Sequence, residues 1–151
     1  MPTIVLTTRV PAPVEACFAL SLSVDAHTAS MSASGERVVA GVASGEMGPG
    51  DTVTWRARHF GVPFTMTSRI TEHDAPARFV DEQVSGPFRR WWHEHRFEVA
   101  AGGTLMTDVV RYASPAGALG RAVDRAVLTG YLTRLLRTRN RWLVEAAPRQ
   151  G

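Results

Sequence analysis

Two histidines, His93 and His95, stand in the stretch GPFRRWWHEHRFEV (residues 86–99), directly after Trp91 and Trp92. In an extended strand, residues two apart share a face at a separation of about 6.5–7 Å. One face then carries Trp91, His93, His95, Phe97 and Val99, and the other Arg90, Trp92, Glu94, Arg96 and Glu98. Three chemistries fit two imidazoles on an otherwise apolar face. With Asp81 or Asp108 as a third donor they could chelate a metal ion. No motif of established metal spacing is present, however, and neither metal nor cofactor is expected. Beside a buried carboxylate an imidazole could move protons near neutral pH, because attraction raises its pKa while burial lowers it. His93, His95, Asp81 and Asp108 are the candidate acid/base groups, with Tyr112 or Gln83 to polarise a carbonyl. The third chemistry is holding: the same groups orient a mostly apolar guest, or simply satisfy one another inside a sheet. Holding demands least of the residues.

The elements that must position these side chains follow from the hydrophobic pattern. TIVLTTRV alternates as a first strand. Pro13 opens a short helix over PVEACFAL, and Ser23 or Asp25 caps a second over SVDAHTASM. GERVVAGV is a short strand followed by the glycine-rich loop SGEMGPGD. From Asp51 to Tyr112 antiparallel strands follow one another. A two-residue Gly61-Val62 turn sets His59 opposite Phe64, Ala57 opposite Met66, Trp55 opposite Ser68 and Val53 opposite Ile70. A four-residue loop around HDAP sets Ile70 opposite Phe79, so that Asp81 and Gln83 continue the inner face.

The AAGG turn pairs Val99 with Thr104, Phe97 with Met106, His95 with Asp108, His93 with Val110 and Trp91 with Tyr112. A three-residue Gly86-Pro87-Phe88 loop sets Asp81 opposite His93, whereas a two-residue turn moves Asp81 to the other face. Beyond Pro115 the period becomes helical over residues 116–147, about 30 residues and roughly 45 Å long. Leu119, Val123, Leu128, Leu132, Leu135 and Leu143 form its apolar stripe; Trp142 anchors it.

Strand, two short helices, six antiparallel strands and a long C-terminal helix resemble the START/birch-pollen-allergen superfamily, in its polyketide cyclase/dehydrase-like branch. GDTVTWRARHFGVPFTMTSRI, RFVDEQVSGPFRRWWHEHRFE, GGTLMTDVVRY and GALGR carry the resemblance, which covers the whole chain as a single domain, residues 1–151. It implies an α+β helix-grip fold, a curved seven-stranded antiparallel sheet wrapped around the long helix with a cavity between them. The expected lining is Trp55, His59, Phe64, Met66, Phe79, Gln83, Trp91, His93, His95, Met106, Val110 and Tyr112, joined by Leu128, Leu132 and Leu135 of the helix. Such a cavity implies a small hydrophobic, aromatic or polyketide-like ligand and a biosynthetic, carrier or self-protection role in secondary metabolism. An aromatase/cyclase or dehydrase is the enzymatic alternative. His27 lies near the expected cavity mouth.

Composition narrows the field further. The chain has 151 residues and 44% hydrophobic content, enough for one sizeable core. All 17 basic residues are arginine, but the formal net charge is only +3 and no polybasic block occurs, so no nucleic-acid partner is expected. The one cysteine, Cys17, excludes an intrachain disulfide and a cysteine-rich zinc site. No apolar run reaches the length of a membrane span and no secretory signal opens the chain, so a cytoplasmic location is expected. The glycine-rich loops match no phosphate-binding spacing. Trp92, on the outer face, leaves a homodimer open.

Overall fold

The structure is a computed structural model, and it describes residues 2–114, 122 and 127–149. Strand β1 (Thr3–Val10) is followed by helices α1 (Val14–Leu22) and α2 (Val24–Ser30) and a 3-10 turn at Ser32–Ser34. Six strands come next: β2 (Arg37–Gly41), β3 (Thr52–His59), β4 (Val62–Asp74), β5 (Arg78–Ser85), β6 (Arg90–Ala100) and β7 (Gly103–Ala113). A long helix, α3, spans Thr129–Ala146. The seven strands form one antiparallel sheet in the order β1-β7-β6-β5-β4-β3-β2. Every pair from β2 to β7 is therefore sequential, and β1 closes onto β7. This is the helix-grip architecture. The expected first part of the long helix, including GALGR, Leu119 and Val123, lies outside the described residues.

Local chemistry accounts for the helix ends and the turns. Ser23 caps α2 by accepting a hydrogen bond from the Ala26 N–H at 3.1 Å. The β6–β7 hairpin has the expected register throughout, from Trp91 opposite Tyr112 to Val99 opposite Thr104. Asp81 lies opposite His93, as a three-residue loop requires, although the ladder itself stops at Glu82 and Trp92.

Two other registers differ from expectation. The β3–β4 turn is Phe60-Gly61, with His59 opposite Val62, Ala57 opposite Phe64, Trp55 opposite Met66 and Val53 opposite Ser68. Both turn residues take positive φ, 55° and 74°, the backbone that a two-residue hairpin turn needs to match strand twist. The slip is two residues, an even number, so the side chains keep their faces. In β4–β5, Ile70 pairs with Asp81 rather than Phe79, because β4 runs on to Asp74 and the register shifts between Ile70 and Glu72 and between Thr67 and Ser68. Bulges of this kind insert one unpaired residue and bend the strand.

The core has two parts. At one end Phe18 of α1 meets Phe79 and Phe97 edge-on at 5.7 and 5.5 Å, with Met106 and Leu143 beside them. At the other, Ile4, Val110 and Tyr112 pack on Leu132 and Leu136 of α3. On the outer face Glu94 is buried beneath Arg78 and Arg96. Trp92 takes Arg111 over its ring at 5.0 Å, so an intrachain contact occupies that face. Among the described residues no helix is long and apolar enough to cross a membrane.

Candidate functional site

Between the sheet and α3 lies a cavity of about 460 Å³. The Phe60-Gly61 turn, the β5–β6 loop, the end of β7 and the start of α3 all fall at the same end of the sheet. Phe60, Pro87, Phe88, Ser114 and Leu128 from these segments line the cavity there. The wall is mainly apolar. Of the expected lining, Trp55, His59, Phe64, Met66, Phe79, Trp91, His93, His95, Leu128, Leu132 and Leu135 stand on it.

Four expected residues do not. Met106 is buried in the closed core beneath α1, and Val110 and Tyr112 are buried in the packing against α3. The Tyr112 hydroxyl pairs with Thr129 Oγ1 at 2.5 Å instead of reaching a guest. Gln83 turns to the β5–β6 loop: its Nε2 donates to the Phe88 carbonyl at 2.7 Å, and its Oε1 accepts from the Phe88 N–H at 3.1 Å. Gly86 leaves room for this clamp, since a Cβ there would lie 2.5 Å from Gln83 Oε1. Gln83 therefore shapes the loop but not the cavity wall.

At the deep wall the inner face of β6 forms a column of rings. His93 and His95 stack at 3.7 Å, Phe79 stacks on His95 at 4.0 Å, and Trp91 meets His93 edge-on at 6.2 Å. Register places His95 opposite Asp108 and His93 opposite Asp81, yet the hydrogen bonds run along the other diagonal. His95 Nε2 pairs with Asp81 Oδ2 at 2.7 Å, and His93 Nε2 pairs with Asp108 Oδ1 at 2.8 Å. Each imidazole leans along its strand past the residue directly opposite.

Helix α3 completes this network. Arg139 donates from Nη2 to Asp108 Oδ1 at 2.6 Å, and Asn140 donates from Nδ2 to Asp108 Oδ2 at 2.8 Å. Arg139 also donates to Asn140 Oδ1 from Nε and Nη2, at 3.0 and 2.8 Å, and Asn140 reaches Thr8 of β1. Asp108 thus accepts from a strand and a helix at once, with its side chain 0% exposed. It stands behind the cavity wall, whereas Asp81, 21% exposed, stands on it.

Sequence reasoning did not single out Arg139 and Asn140. The signal was in the spacing: Leu132, Leu136, Arg139, Asn140 and Leu143 form the buried face of α3. Polar residues on that stripe had to meet a buried partner.

The charges are set by these contacts. Burial alone pushes the Asp108 carboxyl up, but the Arg139 guanidinium and the His93 hydrogen bond hold it well below the usual range. Burial also pushes Asp81 up, and is outweighed by the hydrogen bond from His95 and attraction from His93, His95 and Arg139, so its pKa is lowered. His95 is driven down to about 4, first by burial and then by repulsion from His93, against the opposing pull of Asp81. At neutral pH His95 is therefore an uncharged ring between two carboxylates.

Nearer the open end, His59 Nδ1 lies 2.7 Å from the Tyr131 hydroxyl, and burial lowers the His59 pKa and raises that of Tyr131. His27 packs on Trp55 at 4.3 Å and pairs with Glu36 at 2.7 Å; all three are on the cavity wall.

Residues 10–137 match the family described as polyketide cyclase / dehydrase and lipid transport. The chain belongs to this family. A search of curated proteins finds no match. Among solved structures, the family's fold recurs in the protein TTHA0849 from Thermus thermophilus, at TM-score 0.81 and 17% identity, covering 99% of both chains. It recurs in the Zhui aromatase/cyclase from Streptomyces sp. R1128, at TM-score 0.77 and 18% identity, over 99% of this chain and 94% of that one. Ginseng major latex-like protein 151 from Panax ginseng aligns at TM-score 0.70 and 14% identity, over 97% of each chain. At these identities the likeness is one of fold, and it matches the family and the architecture expected from the strand and helix pattern.

Proposed function

We propose that this polyketide cyclase / dehydrase family member binds a small, mostly apolar molecule, aromatic or polyketide-like, in the cavity between sheet and α3. The observation that carries the reading is an apolar cavity of about 460 Å³ with one ionic cluster set into its wall. Ligand sites of this size are apolar with a few fixed polar groups that orient the guest. Trp55, Phe64, Met66, Trp91, Leu132 and Leu135 supply apolar and aromatic surface. Asp81 has one oxygen engaged by His95 and offers the other to a hydroxyl or enol of the guest. The role that goes with this reading is a biosynthetic, carrier or self-protection one in secondary metabolism, in the cytoplasm.

The test is quenching of tryptophan fluorescence by a panel of polyaromatic compounds. Saturable quenching that is lost in Trp91→Ala supports the reading. Absence of saturable quenching across the panel rejects it.

One observation favours a second reading, a cyclase or dehydrase. Asp81 is a carboxylate that faces the cavity while bonded to the His95 imidazole, an arrangement that places a proton acceptor where a substrate's activated carbon could reach it. In that reading Asp81 and His95 meet the substrate, and His93 and Asp108 hold them in place. Asp81→Asn then abolishes turnover of a poly-keto substrate while leaving its binding within about threefold. Unchanged turnover rejects the acid/base role.

A further inference from the structure

The nitrogens that Asp108 does not hold converge on one oxygen. Asp108 accepts from Arg139, Asn140 and His93 Nε2, so in its neutral form the His93 ring carries its proton on Nε2 and a lone pair on Nδ1. That Nδ1 faces Asp81 Oδ2 at 3.8 Å, an acceptor against an acceptor. His95 points its Nε2 at the same Oδ2, at 2.7 Å. The other nitrogen of His95, Nδ1, is buried without a hydrogen-bond partner and lies 3.4 Å from Asp108 Oδ1. With the His95 proton on Nε2, a second lone pair confronts a second carboxylate. Buried polar atoms left in this state are costly and call for an explanation.

A cation among His93 Nδ1, His95 Nε2 and Asp81 Oδ2 removes both conflicts. It takes the place of the His95 Nε2 proton, and that ring carries its proton on Nδ1 and donates to Asp108. We propose that Asp81, His93 and His95 form a binding site for a divalent first-row transition metal, with Asp108 as the carboxylate that orients both imidazoles. One donor atom from each of the three residues lies within 4.8 Å of the others.

Two imidazoles and one carboxylate suit zinc, iron, cobalt or nickel and leave coordination positions open. Metal-bound histidines almost always donate their other N–H to a carboxylate or carbonyl, and here both far nitrogens face Asp108. Arg139 and Asn140 in turn fix Asp108. Two carboxylates and one guanidinium leave the cluster with one negative charge when the rings are neutral, which favours a dication. Ligand atoms on an ion with bonds of about 2.0–2.2 Å lie about 3–3.5 Å apart. The Asp81–His95 contact therefore opens, the Asp81–His93 contact closes, and the two rings tilt out of their stack. Asp81 stands on the cavity wall, so the open positions face the guest space. The metal site does not depend on a guest and is read without one.

The experiment uses full-length protein stripped with a chelator and titrated with Co(II), then Zn(II). One equivalent of Co(II) with visible d–d absorption, displaced by Zn(II), is the expected result. In the imidazole nitrogen NMR spectrum of the unsubstituted protein, Zn(II) is expected to shift His93 Nδ1 and His95 Nε2 to metal-bound positions. In the zinc form the ring protons sit on His93 Nε2 and, after moving from Nε2, on His95 Nδ1. Asp81→Asn is expected to weaken Zn(II) binding more than about tenfold, and Asp108→Asn by about 10- to 100-fold, with near-UV circular dichroism reporting whether each variant is folded. The spectrum of the unsubstituted protein keeps the test decisive even if a variant does not fold. Folded protein that takes up no stoichiometric Co(II) or Zn(II) overturns the proposal. So does zinc that perturbs only His27, His59 or His73.

Discussion

Strand β6 passes from one kind of interior to another along a single inner face. At Phe97 it meets α1: Phe18, Phe79 and Phe97 pack ring against ring, and Met106 fills the space beside them. At His93 and Trp91 the same face looks onto the cavity, with Leu132 and Leu135 of α3 on its far side. The strand alternation is the same in both halves; what differs is the element that covers it. Where α1 plugs the sheet, apolar side chains touch, and the buried Thr104 hydroxyl is satisfied by the Ala12 carbonyl. Where α3 and α2 stand around it, a gap remains, and His95 on its wall is held by Asp81 and His59 by Tyr131. Stability belongs to the closed end and to the ionic network, and the open wall is left free for a guest.

The largest expected effect tests the network. Asp108→Asn leaves Arg139 buried without its counter-charge and is expected to cost about 3–5 kcal/mol in urea denaturation. A cost below about 1 kcal/mol would mean that the cluster is solvated rather than structural. The closed end comes next. Phe97→Ala is expected to cost about 3–4 kcal/mol by opening a hole in packed aromatics. Trp91→Ala, half-buried on the cavity wall, is expected to cost roughly 1 kcal/mol while guest quenching is lost. Equal costs for Phe97→Ala and Trp91→Ala would erase the distinction between the two ends.

Acid probes the same contrast. The folded-state pKa of His95 lies below its ordinary 6.5, at about 4, so the unfolded chain binds the proton first. Its contribution is fully present above about pH 6.5 and is lost as pH falls toward about 4, on the order of 3 kcal/mol across the window. Asp81 and Asp108, lowered from 3.8, add a further loss only below that pH. The denaturation midpoint should therefore fall between pH 6.5 and about 4, and His95→Gln should flatten that segment while leaving the steeper fall below it. The smallest effect is at the open end. Tyr131→Phe removes the hydrogen bond to His59 and is expected to cost about 1 kcal/mol or less, because this half-buried pair can turn to water.

Legibility differed from strand to strand for identifiable reasons. The β6–β7 register was readable because one glycine-rich turn and an unbroken alternation allow a single consistent pairing. The β4–β5 pairing was not, because a bulge inserts a residue without leaving a composition signal. In β3–β4 the expected turn lies one residue too far along the chain: glycine was assigned the first central position, whereas Phe60 holds it at positive φ. Even so, parity survived, and eleven of the fifteen expected lining residues stand on the cavity wall. Met106, Val110 and Tyr112 share the inner face with the cavity residues, but face membership does not say which part of the face α1 or α3 covers.

By itself, the sequence determined the element order and the company of His93, His95 and Asp108 on one strand face, with Asp81 joining them only if the β5–β6 loop has three residues. Strand period and turn chemistry are local, so residues near in the chain decide them. Only the tertiary structure decided that each imidazole binds the carboxylate diagonal to it, that Asp108 withdraws behind the wall, and that Arg139 and Asn140 of α3 hold it there. Those choices depend on how a helix distant in the chain docks against the sheet. Burial then makes every unpaired proton and lone pair in the cluster count.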